Sequence, residues 1–184
     1  MRLILQRHGD SQGNAAKAVE VELASPAPGK LALTYVVTGD IAALNLPHPA
    51  PAARTDELWR HTCLEAFLGE ARGASYYEFN LAPSSQWAAY GFSGYREGMA
   101  PVEPFDDPGV SIKAAADRFI QRATLNLSDL PGLRPDALWR LALTAVIEQR
   151  DGLKSYWALA HPAGQPDFHH ADGFSHVLTP AERA

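Results

Sequence analysis

Trp59, Glu65, Tyr76, Tyr77, Glu78 and Asn80 fall within one 22-residue stretch of a 184-residue chain. Rings beside carboxylates and amides are the chemistry of a sugar site. The ring packs on the C–H face of a pyranose, and the polar groups bond its hydroxyls. The competing reading places these aromatics in a β-core, with the acids on a solvated face. Both readings remain open on these residues alone.

A second cluster lies near the C-terminus. His161, Asp167, His169, His170 and Asp172 fall within twelve positions. Imidazole and carboxylate at that density suggest a divalent metal such as zinc. The spacing matches neither His-Glu-x-x-His nor a Cys/His finger, and Cys63 is the only thiol. Cys63 reads as a small strand residue. Met99 with a tail histidine would be a chemically allowed haem pair, without any covalent attachment motif. The default expectation is no cofactor.

A third candidate opens the chain, where Arg7-His8-Gly9 follows the apolar run Leu3-Ile4-Leu5. It resembles the start of a histidine phosphatase, whose histidine takes up a phosphoryl group. That enzyme also needs a second arginine, a second histidine, an acid, and a helix after the first strand. Ser175-His176 and Asp10 could imitate the second histidine and the acid. The segment after Gly9 shows no amphipathic helix, so the motif lacks its context.

The elements that would position these residues are short. Fourteen Pro and fourteen Gly punctuate the chain, which favours strands over long helices. VEVEL (19–23) and KLALTYVV (30–37) alternate and form one predicted hairpin. Residues 62–81 read as a second, with Tyr77, Phe79 and Leu81 on one face and Tyr76, Glu78 and Asn80 on the other. Residues 58–68 also allow helical spacing, and 83–99 read as partly loop. Residues 111–127 read as two strands. LWRLALTAVI (138–147), the turn Asp151-Gly152 and LKSYWALA (153–160) form a third hairpin, and a last short strand lies near 174–178. Eight to ten strands and little helix predict an all-β, two-sheet antiparallel β-sandwich over a single domain, 1–184.

Bulk properties exclude some functions. Hydrophobic residues make up 46% and charged residues 20%, as in ordinary soluble proteins. A net charge of −5 gives no electrostatic support to nucleic-acid binding. One cysteine cannot form an internal disulfide, and no apolar stretch is long enough to span a bilayer. The expectation is a cytoplasmic protein without a membrane partner.

Three segments together resemble a bacterial family of DOMON-like domains, related to the family 9 carbohydrate-binding modules. They are LWRHTCLEAFL (58–68), YYEFNLAPS (76–84), and SYWALAHP (155–162) with PDFHH (166–170). The resemblance covers about residues 20–180. It implies an immunoglobulin-like or jelly-roll sandwich that binds a ligand rather than transforming it, the ligands of the wider superfamily being sugars or haem. In the sugar-binding modules a tryptophan followed six positions later by a glutamate contributes to the site, as Trp59 and Glu65 would. Glu78 or Asn80 matches the polar residue of the next strand, and Trp157 is the candidate for the second aromatic. His61, His161, Asp167 and His169 complete the candidate set. The expected partner is a small molecule, a sugar or sugar derivative.

Overall fold

The computed structural model describes residues 1–128 and 130–183. Among them are twelve strands, and the helical residues are confined to short 3-10 turns. The strands are β1 (Arg2–Arg7), β2 (Ala16–Ala24), β3 (Lys30–Gly39), β4 (Cys63–Glu70), β5 (Tyr76–Leu81) and β6 (Trp87–Phe92). They continue with β7 (Ala100–Pro101), β8 (Ser111–Ala114), β9 (Arg118–Asn126), β10 (Trp139–Glu148), β11 (Lys154–Ala158) and β12 (His176–Leu178).

The strands pair antiparallel in the order β7-β6-β5-β4-β10-β11-β1-β2-β3-β9-β8, with β12 on β10. β1 is the bridge. It pairs with β2 along Arg2–Leu5 and with β11 at Gln6 and Arg7. This staggered pairing carries the ladder from one half to the other. The expected all-β antiparallel architecture is present, but the ladder is one continuous curled sheet rather than two separate ones.

Alternation sets the burial. Val19, Val21 and Leu23 on β2 and Leu31, Leu33, Tyr35 and Val37 on β3 turn inward, and Glu22 between them is exposed. β4 and β10 are central and buried on both faces, which explains their near-continuous apolar runs. Their residues Leu64, Leu68, Leu141, Leu143 and Ile147 join those of β2, β3 and β9 in one core. Each such side chain, fully buried, contributes about 1.5–3 kcal/mol. Hydrogen bonds also cross this core between the halves. Tyr35 Oη donates to the Glu65 carbonyl at 2.6 Å, and Gln121 Nε2 donates to the Leu81 carbonyl at 2.9 Å.

The other face of β4, β5, β6 and β10 carries a smaller cluster, Phe67, Tyr76, Ala88, Tyr90, Phe92 and Ala142, joined by Phe174. Leu58, Trp59 and Phe168 pack against it from outside the strands. This second face, away from the main core, holds the site.

The three predicted hairpins are present as β2–β3, β4–β5 and β10–β11, and 111–127 forms β8 and β9. The Asp-Gly signal works through the left-handed Gly152 (φ 84°) and a 3.0 Å bond from the Leu153 N–H to Asp151 Oδ1. Two segments differ. The ambiguous 58–68 resolves into a 3-10 turn, Leu58–Arg60, followed by β4. The stretch read as partly loop contains β6, because pairing with β5 from Trp87 to Phe92 supplies hydrogen bonds that local composition does not reveal.

Candidate functional site

Register brings the polar side chains together. Glu65 and Phe67 lie on the face of β4 opposite the main core, and Glu65 pairs with Thr144 of β10 and Asn80 of β5. Phe67 pairs with Glu78. Period-two geometry therefore puts Glu65, Glu78 and Asn80 on the same face. Above it opens a cleft of about 440 Å3, within the size range of small-molecule sites. Trp59, Tyr156 and Phe168 supply ring surface, and Glu65, Glu78, Arg96 and His169 supply polar groups. Phe67, Phe92, Met99, Val146 and Pro166 complete the lining.

Both carboxylates are buried. Glu65 Oε2 accepts from Thr144 Oγ1 at 2.9 Å, and its Oε1 has no partner. Glu78 Oε1 accepts from Asn80 Nδ2 at 2.7 Å. Its Oε2 lies 3.7 Å from His169 Nε2, beyond hydrogen-bond range. Burial pushes the Glu65 carboxyl well above its ordinary range; the neighbouring Glu78 charge adds to this and the Thr144 bond partly offsets it. Burial raises Glu78 as well, and the Asn80 bond and the Arg96 charge oppose the shift. Two acids in one apolar wall resist carrying two charges.

His169 is positioned by rings and one bond. It sits edge-on to Phe67 and Phe92, and its Nδ1 is 2.8 Å from Tyr76 Oη. Tyr76 Oη also accepts from the Arg96 N–H at 3.2 Å. With Tyr76 donating to Nδ1, the imidazole proton stands on Nε2, toward Glu78. Burial, helped by the Arg96 charge, lowers His169 to about 4, so the ring is neutral at pH 7.

Arg96 enters from the turn after β6. Its backbone is left-handed (φ 56°), and its Nη2 donates to Asp167 Oδ1 at 2.8 Å. Asp167 Oδ2 accepts from Tyr95 Oη at 2.5 Å. Asp167 thus orients the guanidinium instead of facing the cleft itself.

Of the sequence candidates, the structure gathers Trp59, Glu65, Glu78 and His169 in the cleft wall. Asn80 stands behind Glu78 as its donor, and Asp167 behind Arg96. Trp157 lies elsewhere. It is 4% exposed in the main core, and its Nε1 donates to Ser155 Oγ at 2.9 Å. Its register partner is Ala145, on the core face of β10, so Tyr156, one residue earlier, takes the cleft position. His61 is on the surface, with Nδ1 2.8 Å from Glu148 Oε2. His161 packs edge-on to His8, with Nε2 2.9 Å from the Gln6 carbonyl. Sequence reasoning missed Arg96, Tyr156 and Phe168. Hairpin parity was a usable signal for Tyr156. The other two stand on loops, where no periodicity applies.

The alternative chemistries gain no support from the geometry. Arg7 Nη2 donates to the carbonyls of Ser11 and Gly13 at 2.8 and 2.7 Å, and the chain runs from Gly9 into β2 without a helix. His8 Nδ1 accepts from the Asp10 N–H at 3.1 Å. Arg7-His8-Gly9 is therefore a strand end whose groups close a turn. The tail histidines diverge: His161 contacts β1, His169 contacts Tyr76, and His170 Nδ1 accepts from the Asp172 N–H. Among the described residues no three His, Cys, Asp or Glu side chains converge as metal ligands.

Neither protein-family models nor curated proteins match the sequence. Solved structures do match in fold. A candidate carbohydrate-binding protein of Bacteroides uniformis aligns with a TM-score of 0.67 at 12% identity, over 94% of this chain and 83% of that one. A family 9 carbohydrate-binding module of Caldicellulosiruptor kristjanssonii aligns in its glucose complex with a TM-score of 0.50 at 16% identity, over 84% and 72% of the two chains. Its cellotriose complex gives 0.50 at 14% identity, over 89% and 74%.

Proposed function

We propose that the chain is a non-catalytic binding domain that takes a small carbohydrate in the cleft between Trp59 and Phe168. The observation that carries this reading is the pairing of ring surface with two buried carboxyl groups, one of which, Glu65, keeps an oxygen without a partner. Rings hold the C–H face of a pyranose, and the carboxyl groups and Arg96 hold its hydroxyls. Fold-level likeness to modules seen with glucose and cellotriose supports the ligand class. In this reading the curled sheet works as a two-layer sandwich of the DOMON-like kind, the 184 residues act as one domain in the cytoplasm, and neither nucleic acid nor membrane is a partner.

A thermal-shift and calorimetric screen of mono- and disaccharides tests it. A ligand at a hundredfold excess over its Kd stabilises by about 2.7 kcal/mol, which is readily seen. Binding by at least one sugar, reduced tenfold or more by Trp59→Ala, is expected. A complete absence of hits, or hits indifferent to Trp59→Ala, defeats the proposal.

A further inference from the structure

The titratable groups of the cleft are mostly acids. Glu65 and Glu78 line it, and among the described residues no lysine does. The one arginine of the wall, Arg96, is already engaged by Asp167 at 2.8 Å. His169 is neutral near pH 7, with burial holding it at about 4. Each carboxyl group uses one oxygen within the sheet, Glu65 on Thr144 of the neighbouring β10 and Glu78 on Asn80 of its own strand. Glu65 is 2% exposed, and its Oε1 is buried without any partner. A buried polar atom of this kind costs stability until a ligand supplies a partner.

We propose that the cleft selects a sugar carrying a free ammonium group over its neutral or N-acetylated counterpart. This rests on the sugar-binding reading above and narrows it. An ammonium has three N–H donors and a full positive charge. Burial leaves Glu78 and Glu65 largely protonated at pH 6.5, and the cation favours their ionised form, so it binds with release of a proton. A hydroxyl has a single proton and no charge, and an acetamide has one N–H and added bulk. The rings of Trp59, Tyr156 and Phe168 favour a cation over their faces as readily as a C–H surface.

The test is calorimetry at pH 6.5 with D-glucosamine, D-glucose, N-acetyl-D-glucosamine and cyclohexylammonium, a ring amine without hydroxyls. Glucosamine is expected to bind at least tenfold tighter than glucose, and Glu78→Gln to bring the two within twofold. Glucose binding as tightly as glucosamine overturns the amine preference and leaves the sugar reading standing. Binding of cyclohexylammonium with none of the sugars upholds the ammonium site and overturns the sugar reading. No binding by any of the four overturns both. The wild-type comparison needs no variant, and Glu65→Gln replaces Glu78→Gln if the latter fails to fold.

Discussion

Tyr35 reaches across the core from β3 and donates its hydroxyl to the backbone carbonyl of Glu65 at 2.6 Å. The strand that presents a carboxylate to the cleft is thus pinned from behind by the opposite half of the sheet. Burial raises the Tyr35 phenol well above its ordinary value, so the proton needed for this bond stays in place. Tyr35→Phe removes the donor and leaves the ring. Unfolding in urea should show a loss of about 1 kcal/mol, and up to about 3 if the carbonyl is left without a partner. An unchanged midpoint would mean that the bond contributes nothing net.

The contrast between Tyr156 and Trp157 gives a second prediction. Tyr156→Ala removes cleft lining and should lower sugar affinity about tenfold with little change in stability. Trp157→Ala opens a void in the main core and should cost about 3–5 kcal/mol. Urea midpoints and calorimetry on both variants decide it. The reverse pattern, with Trp157→Ala folding normally and losing only affinity, would reassign the wall.

That pair also shows how far the sequence could be read. Glu65, Glu78 and Asn80 were legible as neighbours because strand alternation and a short turn fix which side chains share a face. The same logic applied to β10 and β11 selects Tyr156, since Trp157 pairs with Ala145 in a strand whose Leu141, Leu143 and Ile147 face the core. Position within the resembling segment made Trp157 the candidate, but parity decides which ring faces the cleft. Arg96 and Phe168 were not legible. Their positions depend on Tyr76, Asp167 and the second aromatic cluster, contacts made between segments distant in sequence. The continuity of the sheet through β1 was equally hidden, because one strand shares its pairing between two partners along its length.

Stability should fall as pH rises above about 6.5. The folded-state values of Glu78 and Glu65 are raised to about 7 and about 8, against 4.5 for an unperturbed carboxyl. Between those limits the folded chain holds protons that the unfolded chain has released, so this contribution is complete below about 4.5 and is lost as pH rises through 7–8. His169 works in the opposite direction. Lowered to about 4 from 6.5, it costs stability only as pH falls below 6.5. From pH 6.5 to 8 the carboxyls therefore dominate among these groups. Melting temperatures across that range should decline in the wild type and flatten in a Glu65→Gln, Glu78→Gln double variant. A wild-type profile that rises from pH 6.5 to 8 would contradict the assignment.

Arg96 separates stability from binding. Its left-handed backbone costs a non-glycine residue about 1–2 kcal/mol, and glycine adopts it freely. The guanidinium is half exposed, so its ion pair with Asp167 returns at most about 1 kcal/mol. Arg96→Gly should therefore fold at least as stably as the wild type. It should also lose the polar arm of the cleft and bind sugar several-fold more weakly. Asp167→Asn keeps the strained backbone and removes the anion that holds the guanidinium, so it should lose part of the affinity without the gain in stability. Measuring both variants by urea unfolding and calorimetry distinguishes a residue retained for its ligand from one retained for the fold. An Arg96→Gly protein that is clearly less stable and binds sugar normally would place Arg96 in the second group.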